Sequence, residues 1–253
     1  MSFADSSIYP DLKLSFNGRS YPAGMQVVGA LGVAYPIWGD HQTWKYGYVR
    51  GGLNLMTSAV VNHAGIELQV YPISIAGITF GYDTGIRNYV PSWLDCNFIE
   101  CTGRLDRKYV RFNLFAAHSH FYFMLMSRYD ELHGYGSSKP MFDEVTILVG
   151  NRNGEKVFTL NPVVLYKLTD LTSIGVVSLY SHALDTGGYS HLFGPLVNLT
   201  PQPKFNALLG VGLNSSPVAH SAITAFFLLQ YNIAPSLAIT DLAIRDASES
   251  PSQ

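Results

Sequence analysis

The chain is a succession of short segments in which apolar and polar residues alternate one by one. The clearest is Gly65–Asp83, GIELQVYPISIAGITFGYD. In its first arm Ile66, Leu68 and Val70 fall on one side, and Glu67, Gln69 and Tyr71 on the other. Pro72-Ile73-Ser74 breaks the run. The second arm then sets Ile78, Phe80 and Tyr82 against Thr79, Gly81 and Asp83. Successive side chains of a strand point to opposite faces, so a period of two predicts strands. Two such arms joined by a tight break predict a β-hairpin.

The same cell recurs along the chain. Besides the two arms, alternation predicts strands over 12–21, 24–37, 44–58, 108–115, 122–128, 144–149, 157–167, 174–182, 191–199, 204–214, 223–233 and 237–245. That makes 14 strands, with 12 as the alternative if segments have been divided wrongly. Bacterial membrane barrels have even strand numbers. The fold class expected is therefore all-β, a transmembrane antiparallel up-and-down β-barrel over 12–246. It is preceded by a flexible segment, 1–11, and followed by a polar tail, 247–253. With both termini on the inner side, the two long loops, 84–100 and 129–142, fall together on the outer side, the asymmetry such barrels show.

Composition decides which face meets what. Apolar residues make up 47% and charged residues only 13%, against about 25% charged in soluble domains. The longest weakly polar run, 27–39, is interrupted by Gly and Pro and falls short of the ~18 residues a spanning helix needs. A lipocalin-like soluble barrel would also alternate, but with charge on its outer face. Here the polar positions are mostly Gly, Ser, Thr, Asn, Gln and Tyr, which suit a confined lumen. Ile66, Leu68, Val70, Ile78, Phe80, Val110, Phe112, Phe205, Leu209 and Val211 are expected to face lipid. Glu67, Gln69, Asp83, Arg111, Asn113, Thr159, Asn161, Lys204, Asn206 and Gln230 are expected to line the lumen. Large groups on the polar faces, among them Tyr71, Tyr109, Leu148, Tyr166 and Phe226, make that lumen narrow.

The net charge of -2 offers nothing to nucleic acid. The start, MSFADSS, has no basic n-region and no apolar h-region. The chain therefore reads as the mature form of an outer-membrane protein of a Gram-negative bacterium, with lipid and lipopolysaccharide as its surroundings. Its apolar surface and small residues also fit a homo-oligomer holding lipid between copies. The run Tyr46–Asp83, with its ELQVYPIS hairpin and Gly/aromatic strands, resembles outer-membrane β-barrel proteins of predatory and social Gram-negative bacteria. The resemblance implies a monomer-sized barrel delivered by the secretion and barrel-assembly route.

Candidate chemistry is sparse. Cys96 and Cys101 would stand roughly 17 Å apart in one straight strand, but could pair across a loop in an oxidising compartment. His118, Ser119 and His120 sit at an expected turn, and His182 and His191 flank another. A Ser beside a His resembles the arrangement of outer-membrane lipid hydrolases, yet spacing places no acid to orient the base. His182 alternates in phase with Ser178 and Tyr180, which fits a lumen-lining role. No metal site and no cofactor are expected. The leading reading is a non-enzymatic barrel, porin-like or structural, with a narrow or closed lumen. A transporter of a small apolar ligand and a lipid hydrolase are the alternatives.

Overall fold

The computed structural model describes residues 8–40, 43–58, 60–88, 95–135, 139–217, 221–234 and 237. The segment 247–253 and all of the expected last strand except Leu237 lie outside them, as do residues 1–7.

The chain runs up and down through β1 (Tyr9–Ser20), β2 (Ala23–Gly39), β3 (Tyr46–Ser58), β4 (Val61–Ile73), β5 (Ala76–Arg87), β6 (Gly103–His118) and β7 (Phe121–Tyr135). Two short strands follow, β8 (Met141–Asp143) and β9 (Leu148–Gly150). The meander resumes with β10 (Glu155–Lys167), β11 (Thr172–Ala183), β12 (Tyr189–Gln202), β13 (Phe205–Ser215) and β14 (Ala222–Ala234). Each long strand pairs antiparallel with its neighbours, and β14 pairs with β1, for example Phe16 opposite Leu229. A ring of 12 strands closes. Closure pairs every strand on both sides, so no edge is left with unmatched N–H and C=O groups.

The expected count of 14 is thus corrected to 12 in the barrel. The segment 144–149 does not span. It forms the bend and second strand of the β8–β9 hairpin, a two-stranded sheet separate from the ring. Six alternating residues are too few for a spanning strand, which needs about 9–11. The ring also closes at β14 without the segment 237–245. In the other direction, β1 starts at Tyr9, ahead of the expected Leu12, and brings Asp11 into the barrel.

The turns at the end that holds Tyr9 and Ala234 are short, at 74–75, 119–120, 168–171 and 203–204, with 40–45 the longest. The long connections, 88–102 and 136–154, leave from the opposite end. Inward glycines make room for large side chains from the adjacent strand. A Cβ on Gly81 would lie 2.1 Å from the Tyr109 ring, and one on Gly32 would lie 2.3 Å from the Arg50 guanidinium.

The β1–β14 seam is open to test. With Phe16→Cys and Leu229→Cys together, a short bifunctional thiol reagent should crosslink the folded protein in a single band of altered mobility. Absence of that crosslink, with Phe16→Cys reactive on its own, would mean another strand lies between them.

Candidate functional site

The register sends alternate residues of every strand inward, and these side chains occupy the lumen in layers. In the lower layer Arg50 on β3 grips Asp11 on β1 with two bonds of 2.7 Å, and reaches Glu67 on β4 at 2.6 Å. Glu67 also accepts from Gln69 at 2.7 Å and from the Tyr109 hydroxyl at 3.3 Å, with Arg111 at 3.5 Å. In the middle, the Arg128 guanidinium lies 4.0 Å over the Tyr109 ring and 2.7 Å from Asp130. Above it, His63 meets Asp83 at 3.4 Å through Nδ1 and Glu144 at 2.7 Å through Nε2. Arg107 pairs with Asp143 and stands 3.5 Å from Asp130. Arg50, Arg107, Asp130 and Asp143 are all buried.

Asp143 and Glu144 do not come from the wall. They belong to the β8–β9 hairpin, which folds back into the mouth where the long loops leave. The wall holds it from many sides. Arg87 donates to the Phe142 carbonyl at 2.7 Å, Arg19 to the Glu144 carbonyl at 3.3 Å, Ser190 to the Thr146 carbonyl and Thr186 to the Val149 carbonyl at 3.3 Å. Asp143 caps its own bend, accepting from the Thr146 hydroxyl at 2.6 Å. The bend places Ile147 at φ 58°, a conformation a β-branched residue avoids. Burial against Ile99, Cys101 and Phe142 offsets that strain. Cys96 and Cys101 are joined in a disulfide, their Cα atoms 5.6 Å apart, in the loop that covers the hairpin. Burial by itself would raise the Asp143 carboxyl. The Arg107 charge and the bonds from Thr146 and Val145 outweigh it and hold the carboxyl below its ordinary value.

Toward the opposite end stand aromatics. Tyr46, Tyr48 and Tyr71 stack, with 4.7 Å between the Tyr48 and Tyr71 rings, and the Tyr46 hydroxyl donates to the Leu237 carbonyl. On the β10–β14 side an apolar cluster of Val163, Leu165 and Leu196, packed with Met124, Leu208 and Phe226, lies among uncharged polar residues of the inner face. A cavity of about 440 Å³ lies against β1–β7, lined by the charged layers and by Val145 of the hairpin.

Of the residues expected to line the lumen, Glu67, Gln69, Asp83, Arg111, Asn113, Thr159, Asn161, Asn206 and Gln230 sit at inward register positions. Lys204 does not. It lies exposed in the turn between β12 and β13, because the strand starts at Phe205. Ile66, Leu68, Val70, Ile78, Phe80, Val110, Phe112, Phe205, Leu209 and Val211 lie on the outer wall. Tyr166 is also outside, and Leu148 belongs to the hairpin. His182 is corrected too. Its partner Tyr189 and its in-phase neighbour Tyr180 face outward, as it does, since the inward positions of β11 are Ser181 and Ala183. His118, Ser119 and His120 end β6 and form an exposed turn, with Ser119 at φ 54°. That turn breaks the shared strand face on which two histidines could have acted together. Asp11, His63, Arg107, Asp130 and Asp143 complete the network, and the sequence reading did not assign them to the lumen.

Outward aromatics include a group toward each end of the barrel, with Phe80 and Phe112 between them. Tyr35, Phe121, Tyr166 and Tyr231 lie toward the end with short turns, and Tyr82, Tyr129, Phe158, Tyr180 and Tyr189 toward the hairpin end. Phe158 and Tyr166 are eight positions apart on β10, about 20 Å along the barrel axis at ordinary strand rise and tilt. On the same wall, a groove of about 1020 Å³ crosses β10–β14, its lining almost wholly apolar.

No protein-family model matches the chain, and no curated protein matches it in sequence. Among solved structures it is similar to the β domain of the Bordetella autotransporter Brka, with a TM-score of 0.48 and 10% identity over 89% of this chain and 99% of that one. It is also similar to the KdgM porin in complex with disordered oligogalacturonate, with a TM-score of 0.44 and 11% identity over 87% and 98%. A third likeness is to the outer-membrane protein OmpT of Vibrio cholerae, with a TM-score of 0.44 and 9% identity over 92% and 99%.

Proposed function

We propose that the protein is an outer-membrane barrel whose lumen is closed at rest, so that it works through its walls and its stopper rather than as an open diffusion pore. The observation that carries this reading is the hairpin in the mouth, pinned through Asp143 and Glu144 to Arg107 and His63. The aromatic stack below it and the apolar cluster beside it support the same reading. Membrane placement is supported by the exposed apolar outer wall between the two aromatic groups, where such rings collect. The disulfide fits an oxidising compartment, and the likeness of the run 46–83 to barrels of predatory and social Gram-negative bacteria agrees with it. The long loops then lie outside the cell, and the stopper with them.

The outer groove supports a second element of the same reading. A lipid-facing wall with a concave apolar stripe can hold acyl chains, either alone or against another copy of the chain. In mild detergent the protein should then run above its monomer mass and carry co-purified lipid. A lipid-free monomer would remove that element and leave the closed lumen standing.

The closed state makes two further predictions. Inserted in a planar bilayer at neutral pH, the protein should be electrically silent. Asp143→Asn with Glu144→Gln should convert it to stepwise conductance, because Arg107 and His63 lose their partners on the hairpin. Removing one member of a buried ion pair costs about 3–5 kcal/mol. Stable conductance of the unaltered protein would overturn the reading.

The second prediction concerns pH. The Asp143 carboxyl is depressed in the folded protein, so its contribution to hairpin docking is complete above the ordinary aspartate value of about 3.9 and disappears as pH falls through the lower folded value. Conductance should therefore stay absent at neutral pH and appear only below about pH 4. Opening that begins well above that value would place the controlling group elsewhere.

A further inference from the structure

We propose that the basic side chains of the lumen cavity form a binding site for a small anion bearing several carboxylates, and that Asp143 and Glu144 of the hairpin fill its upper part as an internal substitute. The proposal rests on the reading of the hairpin as a stopper, and it names what the opened lumen holds. The cavity measures about 440 Å³, within the range of small-molecule sites. Lys13, Arg50, His63, Arg107, Arg111 and Arg128 line it, against the carboxylates Asp11, Glu67 and Asp83. Asp130, 2.7 Å from Arg128, is a fourth wall acid facing this set. His63 counts among the bases because both ring nitrogens face a carboxylate oxygen, at 3.4 and 2.7 Å, as an imidazolium with two donors does. Six bases thus meet four wall acids. The two acids that complete the balance are Asp143 and Glu144, and they arrive on the hairpin. Higher up, Arg19 and Arg87 add further positive charge and hold hairpin carbonyls.

The hairpin shows which chemistry the site accepts. Its two carboxylates stand on adjacent residues. One meets the Arg107 guanidinium, and the other meets the His63 Nε2 at 2.7 Å. A free polycarboxylate presents the same oxygens without the peptide chain. Below these contacts the cavity has donors to spare. The Nε atoms of Arg111 and Arg128 are buried without a hydrogen-bond partner. Arg111 stands 3.5 Å from Glu67, and Arg128 lies 4.0 Å over the Tyr109 ring, so both guanidinium groups are held in place. Planar forks of this kind take a carboxylate through two N–H bonds side by side. A cationic solute finds no such opening. Asp11 and Glu67 are taken by Arg50, Asp83 by His63 and Asp130 by Arg128. Hairpin and anion therefore compete, since Arg107 and His63 need a carboxylate from one or the other to avoid confined, unpaired charge. An anion that binds better with the hairpin undocked shifts the protein toward that state, and so opens the lumen it occupies.

The full chain, folded in detergent, is titrated with citrate by calorimetry beside the variant carrying Asp143→Asn and Glu144→Gln. Heat-dependent gel mobility establishes that each protein is a folded barrel. Loss of the internal carboxylates should tighten citrate binding about tenfold or more. Adding Arg111→Gln, a change in the cavity away from the hairpin contacts, should weaken it again by about the same factor. Glucose, with no charge, should bind to none of them. Should the double variant not fold, Asp143→Asn alone makes the same comparison. Citrate affinity that is unmoved by the hairpin substitutions, or by Arg111→Gln, overturns the proposal. In a planar bilayer under a KCl gradient, current through the double variant should favour chloride over potassium and be blocked by citrate. A preference for potassium overturns the proposal as well. A double variant that stays silent counts against the stopper, and the titration in detergent still decides the site. An unaltered protein that conducts counts against the closed lumen, and the sign of its selectivity then tests the same bases.

Discussion

Every strand of this protein depends on the pairing of β14 with β1. A sheet with free edges leaves rows of N–H and C=O groups without partners, and in an apolar medium each costs several kcal/mol. Closure at Phe16 and Leu229 satisfies those groups, and it fixes which residues point in and which out around the whole ring. A shift by one residue in any pair would turn Arg50, Glu67, Asp83 and Arg128 onto the apolar wall, so the ring and its charged interior specify one another.

The interior is built by mutual charge compensation. Arg50 lies between Asp11 and Glu67, His63 between Asp83 and Glu144, and Arg107 beside Asp143 and Asp130. In the same lumen, the β10–β14 side carries none of these pairs and holds Val163, Leu165 and Leu196. One half is polar, partly hollow and reached by the hairpin. The other carries the apolar cluster and uncharged polar residues, and its outer face carries the groove. The barrel is therefore two-sided, with the hairpin's ion pairs on one side and an apolar outer groove on the other.

How much of this was legible in the chain can be followed residue by residue. Lys204 was misplaced by a single position at a strand end, where alternation runs on unchanged into a turn. The segment 144–149 alternates as well as any strand, yet it bends at Ile147 and hangs in the mouth. Local pattern cannot distinguish a short hairpin from a spanning strand except by length. His182 and Ser178 were in phase with one another, but phase does not say which face is outside. That answer comes from Ser181 and Ala183, which meet Thr159 and Val157 inside the barrel.

The sequence by itself determined the all-β class, the alternation and the two faces of each strand, and it put the long connections at 84–100 and 129–142 where the structure has 88–102 and 136–154. These follow from a period of two and from turn residues, both local properties. Only the tertiary structure decided the closing pair, the ring of 12 and the return of the hairpin into the lumen. Those depend on contacts between residues far apart in the chain or offset across a hairpin. Their energy exists only once the ring has set the register, so no stretch of sequence carries it alone.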